Sequence, residues 1–394
     1  MDLKVKIKDL AKANLDKVIE IRRHLHANPE LSFNEFQTAT YVESVLSGLG
    51  IRHSRLAKTG IIAIIEGARP GKIIALRADM DALPIEEKNQ VPYISKNKGV
   101  MHACGHDVHT SSLLGTAMLL ASLKHEWSGT VKLIFQPGEE RLPGGASIML
   151  KEGALENPSP ESIYAQHVFP TLEAGQVGFC GGTYMASCDE IYLTVKGKGG
   201  HAAMPSAYNS PLLIASQILL ELQEKFMQKP QNNIPTVLAF GKMQANGATN
   251  VIPSDIYLEG TFRTMDEPWR DKAHKMIEAT IKQICQRTGG EYDLNIAKGY
   301  PVLINNEKLT DQTRKAAEEY LGKTNVVALE KRMTSEDFSF YSLVKPACFY
   351  RLGTGNKAKG ITSGVHTPTF DIDEKALETG MGLMTWIAIN ELSK

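Results

Sequence analysis

The sequence predicts an α/β protein in which a large domain, built on a central β-sheet flanked by helices, carries an inserted ferredoxin-like α+β domain. Three observations lead there. The chain has 394 residues, too many for one ordinary hydrophobic core, so two domains are expected. Short apolar, β-rich runs alternate with helical periodicity through the first part of the chain, the pattern of a sheet covered on both faces. After about Thr183 the order becomes strand-helix-strand-strand-helix-strand, and a βαβ-type pattern returns from Asn305 to the end.

Residues Asn14–Ala27 and Glu35–Gly50 read as amphipathic helices separated by an Asn28-Pro29-Glu30 turn. The apolar runs Ile61–Ile65, Lys72–Ala78, Thr130–Gln136 and Ser162–His167 read as strands. A long helix, Thr110–Leu123, lies among them, and Gly145–Glu152 reads as another. In the inserted part, strands are expected at Cys188–Gly197, Thr236–Met243, Ile256–Thr264 and Tyr292–Ala297, with helices over Pro211–Phe226 and Glu267–Arg287. The expected division is therefore 1–183 with 299–394 for the large domain and 184–298 for the insert. Catalytic groups in open α/β sheets collect in loops beyond the strand ends. Asp79, Glu139 and His167 all fall at or just after predicted strand ends.

Composition narrows the function. Hydrophobic residues make up 42% and charged residues 22%, the balance of a soluble globular protein. Lys plus Arg equals Asp plus Glu at 44 each, so no global field draws in nucleic acid or an anionic membrane. The first ten residues, MDLKVKIKDL, lack the continuous apolar core of a signal peptide, and no apolar run approaches the roughly 20 residues that span a bilayer. Five cysteines are few and odd in number for a disulfide framework. A cytoplasmic protein is expected.

The densest chemical cluster is His102-Ala-Cys104-Gly-His106-Asp107-Val-His109. Cys and His are common ligands of zinc-like ions, and a Cys-x-His step puts two donors on one turn. A structural zinc site, or a Cys104 nucleophile activated by an imidazole, would use the same residues. Glu139 and Glu140 follow the apolar strand directly in Gln136-Pro137-Gly138-Glu139-Glu140. Two carboxylates at the end of a buried strand are costly unless a cation compensates them. That cation is a metal, or Arg141 if the turn is merely solvated. Neighbouring side chains diverge, so one carboxylate can ligate while the other holds a water. His167, His366 in Gly364-Val-His366-Thr-Pro368, and Asp79-Met-Asp81 add further groups, though Arg77 could simply pair with Asp79.

The strings RADMDALP (Arg77–Pro84), HACGHDVHT (His102–Thr110), QPGEE (Gln136–Glu140), GKGGHAAMP (Gly197–Pro205), NVIP (Asn250–Pro253) and GVHTP (Gly364–Pro368) together resemble the M20 metallopeptidase clan. Within it they are similar to the branch of hippurate hydrolases, N-acyl-amino-acid amidohydrolases and auxin-conjugate hydrolases. The resemblance spans essentially the whole chain. It implies a two-metal site in which Cys104 bridges and His106, Glu140, His167 and His366 complete the ligands. It implies that Glu139 is the general base, and that His201 reaches the substrate of a partner subunit from a lid domain. Asn250 and Arg263 match lid positions associated with substrate. Against the wider clan, Asp79 stands where other members place a ligand histidine, and Cys104 where they place a bridging aspartate. The expected activity is hydrolysis of a small N-acyl amino acid by a homodimer using two divalent ions. Zn, Mn, Co and Ni all suit Cys, His and Glu donors. The rivals are a carboxypeptidase or dipeptidase of the same clan, and a metal-bound binding protein without catalysis.

Overall fold

Four parallel strands make the centre of the larger sheet. In spatial order they are Thr130–Gln136, Ile73–Asp79, Ser162–Glu173 and Ala347–Gly355. Ile74 pairs with Val131 on one side and Ser162 on the other. Thr130–Gln136 and Ile73–Asp79 are buried along almost their whole length, as parallel strands covered on both faces must be. Gly60–Glu66 and Arg52–Leu56 extend one edge as antiparallel strands, and Val177–Phe179 and Val326–Ala328 complete the other. The computed structural model describes residues 2–228 and 232–394. They divide into two units, one running to Gly182 and resuming over Ile304–Glu330 and Asp337–Lys394, the other comprising Thr183–Leu303 and Lys331–Glu336.

In the first unit the helices Leu3–Ala27, His106–Ser122 and Ala376–Leu392 pack on one another. Leu3–Ala27 begins well before the Asn14 expected from periodicity. The early residues alternate charge with apolar side chains, but Ile7 and Ala11 share the buried face that continues through Val18, Ile21 and Leu25, so tertiary packing extends the helix. His106–Ser122 is buried on every side from His106 to Leu120. Where it meets its neighbours it carries Gly115, where an added Cβ would lie 2.9 Å from Met381 and 3.0 Å from Val18. The strand that begins at Ser162 does not stop at His167 but runs to Glu173. Its parallel partner continues beside it, with Arg351 opposite His167 and Leu352 opposite Val168, and that ladder carries the strand past the histidine.

The second unit is a four-stranded antiparallel sheet ordered Thr236–Gln244, Asp255–Thr264, Asp189–Lys196, Glu291–Lys298. Helices Pro211–Gln223 and Glu267–Thr288 pack against the face carrying Ile191, Leu193, Val195, Ile256 and Leu258. This is the ferredoxin-like arrangement. A two-stranded pairing of Gly200–His201 with Val251–Ile252 lies beyond the sheet. The Asp266 side chain caps the second helix by accepting from Trp269 N. Among the described residues no helix is long and apolar enough to cross a membrane.

The tight contact at Gly115 gives a stability test. Gly115→Val should lower unfolding free energy by about 1–3 kcal/mol through overpacking between three helices, read as a lower urea midpoint at unchanged slope.

Candidate metal centre

The parallel strands deliver the site at their C-terminal ends. Asp79 closes one strand, the Pro137–Glu140 turn follows another, and His167 lies in the third. Cys104 sits in the loop entering the helix His106–Ser122, whose N-cap is Gly105 in the left-handed region at φ 81°. An added Cβ at Gly105 would come within 2.6 Å of Val168, so glycine is needed both for the turn and for the approach of the strand Ser162–Glu173. His366 also has a left-handed backbone, at φ 61°, a conformation that costs a non-glycine residue energy and clusters at functional sites. Its N–H donates to Ala103 O at 2.7 Å, which ties its loop to that of Cys104.

Six side chains converge here. Cys104 Sγ lies 3.5 Å from His167 Nε2 and 3.3 Å from His366 Nε2. His366 Nε2 lies 3.1 Å from Glu140 Oε1 in an approach without hydrogen-bond geometry, and His106 Nε2 is 3.9 Å from the same oxygen. Cys104 with His106 and His167 forms one triad of metal-ligating atoms. Cys104 with Glu140 and His366 forms a second, and His106, Glu139 and Glu140 form a third. The first two share the thiol. His106 Nε2 and Glu140 Oε1 are buried without a hydrogen-bond partner among the described residues, a costly state that a cation between them would relieve.

Hydrogen bonds on the far side of each imidazole choose the tautomer. His167 Nδ1 donates to Val168 O at 2.8 Å, and His106 Nδ1 donates to Asp81 Oδ1 at 3.1 Å. In the neutral ring each of these bonds leaves Nε2 without a proton, the form that can ligate an ion. Asp79, His106 and His109 also lie close enough to hold a metal, but His109 is already committed. Its Nδ1 meets Asp79 Oδ1 at 2.5 Å and its Nε2 accepts from Val168 N at 2.9 Å. Asp79 further accepts from Arg77 Nη1 at 2.6 Å. The pairing with Arg77 anticipated as an alternative is therefore present, and Asp79 is a strut beneath the site.

Asp81 is the busiest of these acids. Besides His106 it accepts from Glu139 N at 3.0 Å, Glu140 N at 2.9 Å and Ser32 Oγ at 2.6 Å. Sequence reading singled out Asp81 only as the end of an Asp-x-Asp step. It passed over Glu35, a buried acid that accepts from Gly138 N at 2.8 Å. Its only sequence signal was an acidic residue ahead of a helix, which resembles a cap, yet it makes no capping bond to the helix Phe36–Gly48.

The remaining expected residues belong to the second unit. His201 is exposed, opposite Val251 in the short two-stranded pairing, and Ala202 N donates to Asn250 O at 3.0 Å. His201 and Asn250 are thus neighbours. Arg263 is half-buried on a different strand and donates to Met333 O and Ser335 Oγ, both at 3.3 Å.

A thiol, three imidazoles and two carboxylates brought this close together form the donor set of a metallohydrolase. The chain belongs to peptidase family M20/M25/M40, whose model matches residues 75–390. It is 39% identical to an N-acyl-L-amino acid amidohydrolase of Geobacillus stearothermophilus over 77% of this chain and 82% of that protein. It is 35% identical to thermostable carboxypeptidase 2 of Saccharolobus solfataricus over the full length of both. A dinuclear metal-binding peptidase of the M20 family from Bacillus subtilis superposes with a TM-score of 0.83 at 34% identity, covering 97% of this chain and 99% of that one.

Two outcomes are expected. Burial opposes charge on His106, but Asp79, Asp81 and Glu140 keep it protonated up to about 10. Burial and the nearby Glu140, Glu139 and Asp79 push the Cys104 thiol above its ordinary range. Both protons must leave for the atoms to ligate, so metal binding should release protons and tighten as pH rises. Calorimetry in buffers of different ionisation enthalpy reads that release directly. Asp81→Asn should weaken metal affinity by about ten- to a hundredfold by loosening His106, measured by competition with a chelating dye.

Proposed function

We propose that the protein is a dinuclear metal-dependent amidohydrolase that cleaves the amide bond of small N-acyl amino acids. What carries this reading is the pair of donor triads sharing Cys104 beside an acidic residue, Glu139, that belongs to neither. On this reading Cys104, His106, Glu140, His167 and His366 would hold two divalent ions. The ions, of the Zn, Mn, Co or Ni class, supply Lewis acidity that polarises the scissile carbonyl and acidifies a water. Glu139 takes the proton of the attacking water and returns it to the leaving amine. A merely ligand-binding protein has no use for such a base, and a nucleophilic role for Cys104 is opposed by the upward shift of its thiol.

Residues 184–298 serve as lid and dimerisation domain on this reading. His201 from one subunit helps to stabilise the tetrahedral oxyanion in the other, and Asn250 and Arg263 contact substrate. Support for a homodimer comes from the second unit itself. Thr236–Gln244 is an edge strand of its sheet, and Leu213 and Leu220, seven positions apart on one helix face, are 66% and 72% exposed. Edge pairing of this kind gives a two-fold contact. All five cysteines are free, which fits a reducing, cytoplasmic location.

The 35% identity to a carboxypeptidase favours one second reading, cleavage of peptides, which the same machinery would serve. Comparing turnover of acetyl- and benzoyl-amino acids with that of free dipeptides, after reconstitution with each metal, decides between the two. Glu139→Gln should retain metal yet lose roughly two to four orders of magnitude in turnover; near-normal turnover with metal bound overturns the assignment. Mixing inactive Glu139→Gln and His201→Ala proteins under subunit exchange should restore activity, approaching about half of wild type per mixed dimer, because one site then holds both intact groups. Mixed dimers as inactive as their parents would rule out a shared site.

A further inference from the structure

Three consecutive backbone N–H groups, those of Gly138, Glu139 and Glu140, end on buried carboxylates. Asp81 takes the latter two. The first goes to Glu35, which comes from the N-terminal part of the chain and is fully buried. Glu35 Oε1 accepts from Gly138 N at 2.8 Å and from Phe33 N at 2.7 Å, while Oε2 accepts from Thr59 Oγ1 at 2.7 Å. One carboxylate therefore joins three segments that are distant in sequence.

What it joins is backbone in an unfavourable conformation. Phe33 has φ 66° and Gly138 φ 58°, and the two are pressed together: a Cβ on Gly138 would lie 2.3 Å from the Phe33 ring. Left-handed geometry at a bulky residue such as Phe33 costs energy and persists only where surrounding contacts over-determine it. Two N–H groups donating to the same carboxylate oxygen supply that constraint. The Pro137–Gly138 peptide is held at both ends, by a long 3.5 Å bond from Gln136 Nε2 to the Pro137 carbonyl and by the shorter 2.8 Å bond from Gly138 N to Glu35, so Glu35 is the tighter restraint on its orientation. That peptide sets the direction in which the next residue, Glu139, leaves the backbone. Burial, with the neighbouring Asp81 carboxylate, raises the Glu35 acid to about 7, a cost that the three donors offset in part and that a spacer residue would not need to carry.

We propose that Glu35 is a positioning residue for the hydrolytic reaction: its carboxyl fixes the Gly138 turn and thereby aims Glu139 at the attacking water, without holding metal. The inference rests on the reading of Glu139 as the base. It explains why an acid buried away from the donor triads is bonded to the residue immediately before that base.

A double-mutant cycle tests it with the full-length, metal-reconstituted protein and an N-acetyl amino acid screened as substrate. Glu35→Ala should lower kcat by about ten- to a hundredfold, the scale of a displaced catalytic group, with KM within about twofold and metal content unchanged. Glu35→Gln should recover most of the loss, because its carbonyl can accept from Gly138 N and Phe33 N while the Thr59 hydroxyl turns to accept from its amide. In a Glu139→Gln background, Glu35→Ala should cost almost nothing further, since the group it aims is already gone. If Glu35→Ala does not fold, Glu35→Asp, whose carboxylate is one methylene too short to meet all three donors, takes its place in the cycle. Full kcat in the folded single variant, metal loss in proportion to activity, or an undiminished effect in the Glu139→Gln background would each overturn the positioning role. Normal turnover by Glu139→Gln alone would instead remove the base assignment on which the proposal stands.

Discussion

Asp79, Asp81, Glu139, Glu140 and the Cys104 thiol are gathered into one buried space, and anionic groups so placed repel one another with little water to screen them. The rest of the site follows from that constraint. Arg77 neutralises Asp79, to which the neutral His109 ring also donates, His106 faces Asp81, and backbone N–H groups absorb what remains of Asp81. That leaves His106 Nε2 and Glu140 Oε1 buried without a hydrogen-bond partner among the described residues, a pair of polar atoms that a cation would satisfy. Metal binding is thus the completion of an electrostatic arrangement the fold has already half built.

The same logic separates ligands from struts. His106 and His109 stand one helical turn apart and are equally buried, yet only His106 keeps a nitrogen for an ion, because Val168 N donates to the other. Asp79 and Glu140 are both acids near His106, yet Arg77 has claimed the first. Side chains of like chemistry therefore take different roles according to which backbone group or cation reaches them.

Much of this was legible in the sequence. The parallel strands stood out because burial on both faces makes them continuous apolar runs, and the turn Gly138-Glu139-Glu140 stood out because acids directly after such a run are anomalous. The strand Arg52–Leu56 did not, since its residues RHSRL are polar and largely exposed at the sheet edge; pairing with Gly60–Glu66 and the bonds of Arg55 to Glu43 and Thr40 hold it. The full extent of Leu3–Ala27 was hidden by alternating charges whose apolar partners are counted only when packed. Glu35 was invisible for a deeper reason. Its partners Gly138 and Thr59 lie far along the chain, and no local pattern encodes a bond closed over such a distance.

Those long closures bear on how the protein comes into being. Cys104 and His366 touch across 262 positions, and the strands that present the donors join one another through non-local, parallel ladders, the slowest kind to assemble. No early local segment contains both halves of either triad that shares the thiol. Nascent or partly folded chains consequently offer single thiols and imidazoles, weak traps for an ion, and the full donor set comes into existence only when the last parallel strand and the loop after it have docked. The order of events is imposed by topology: the polypeptide is finished first, and the inorganic part arrives afterwards.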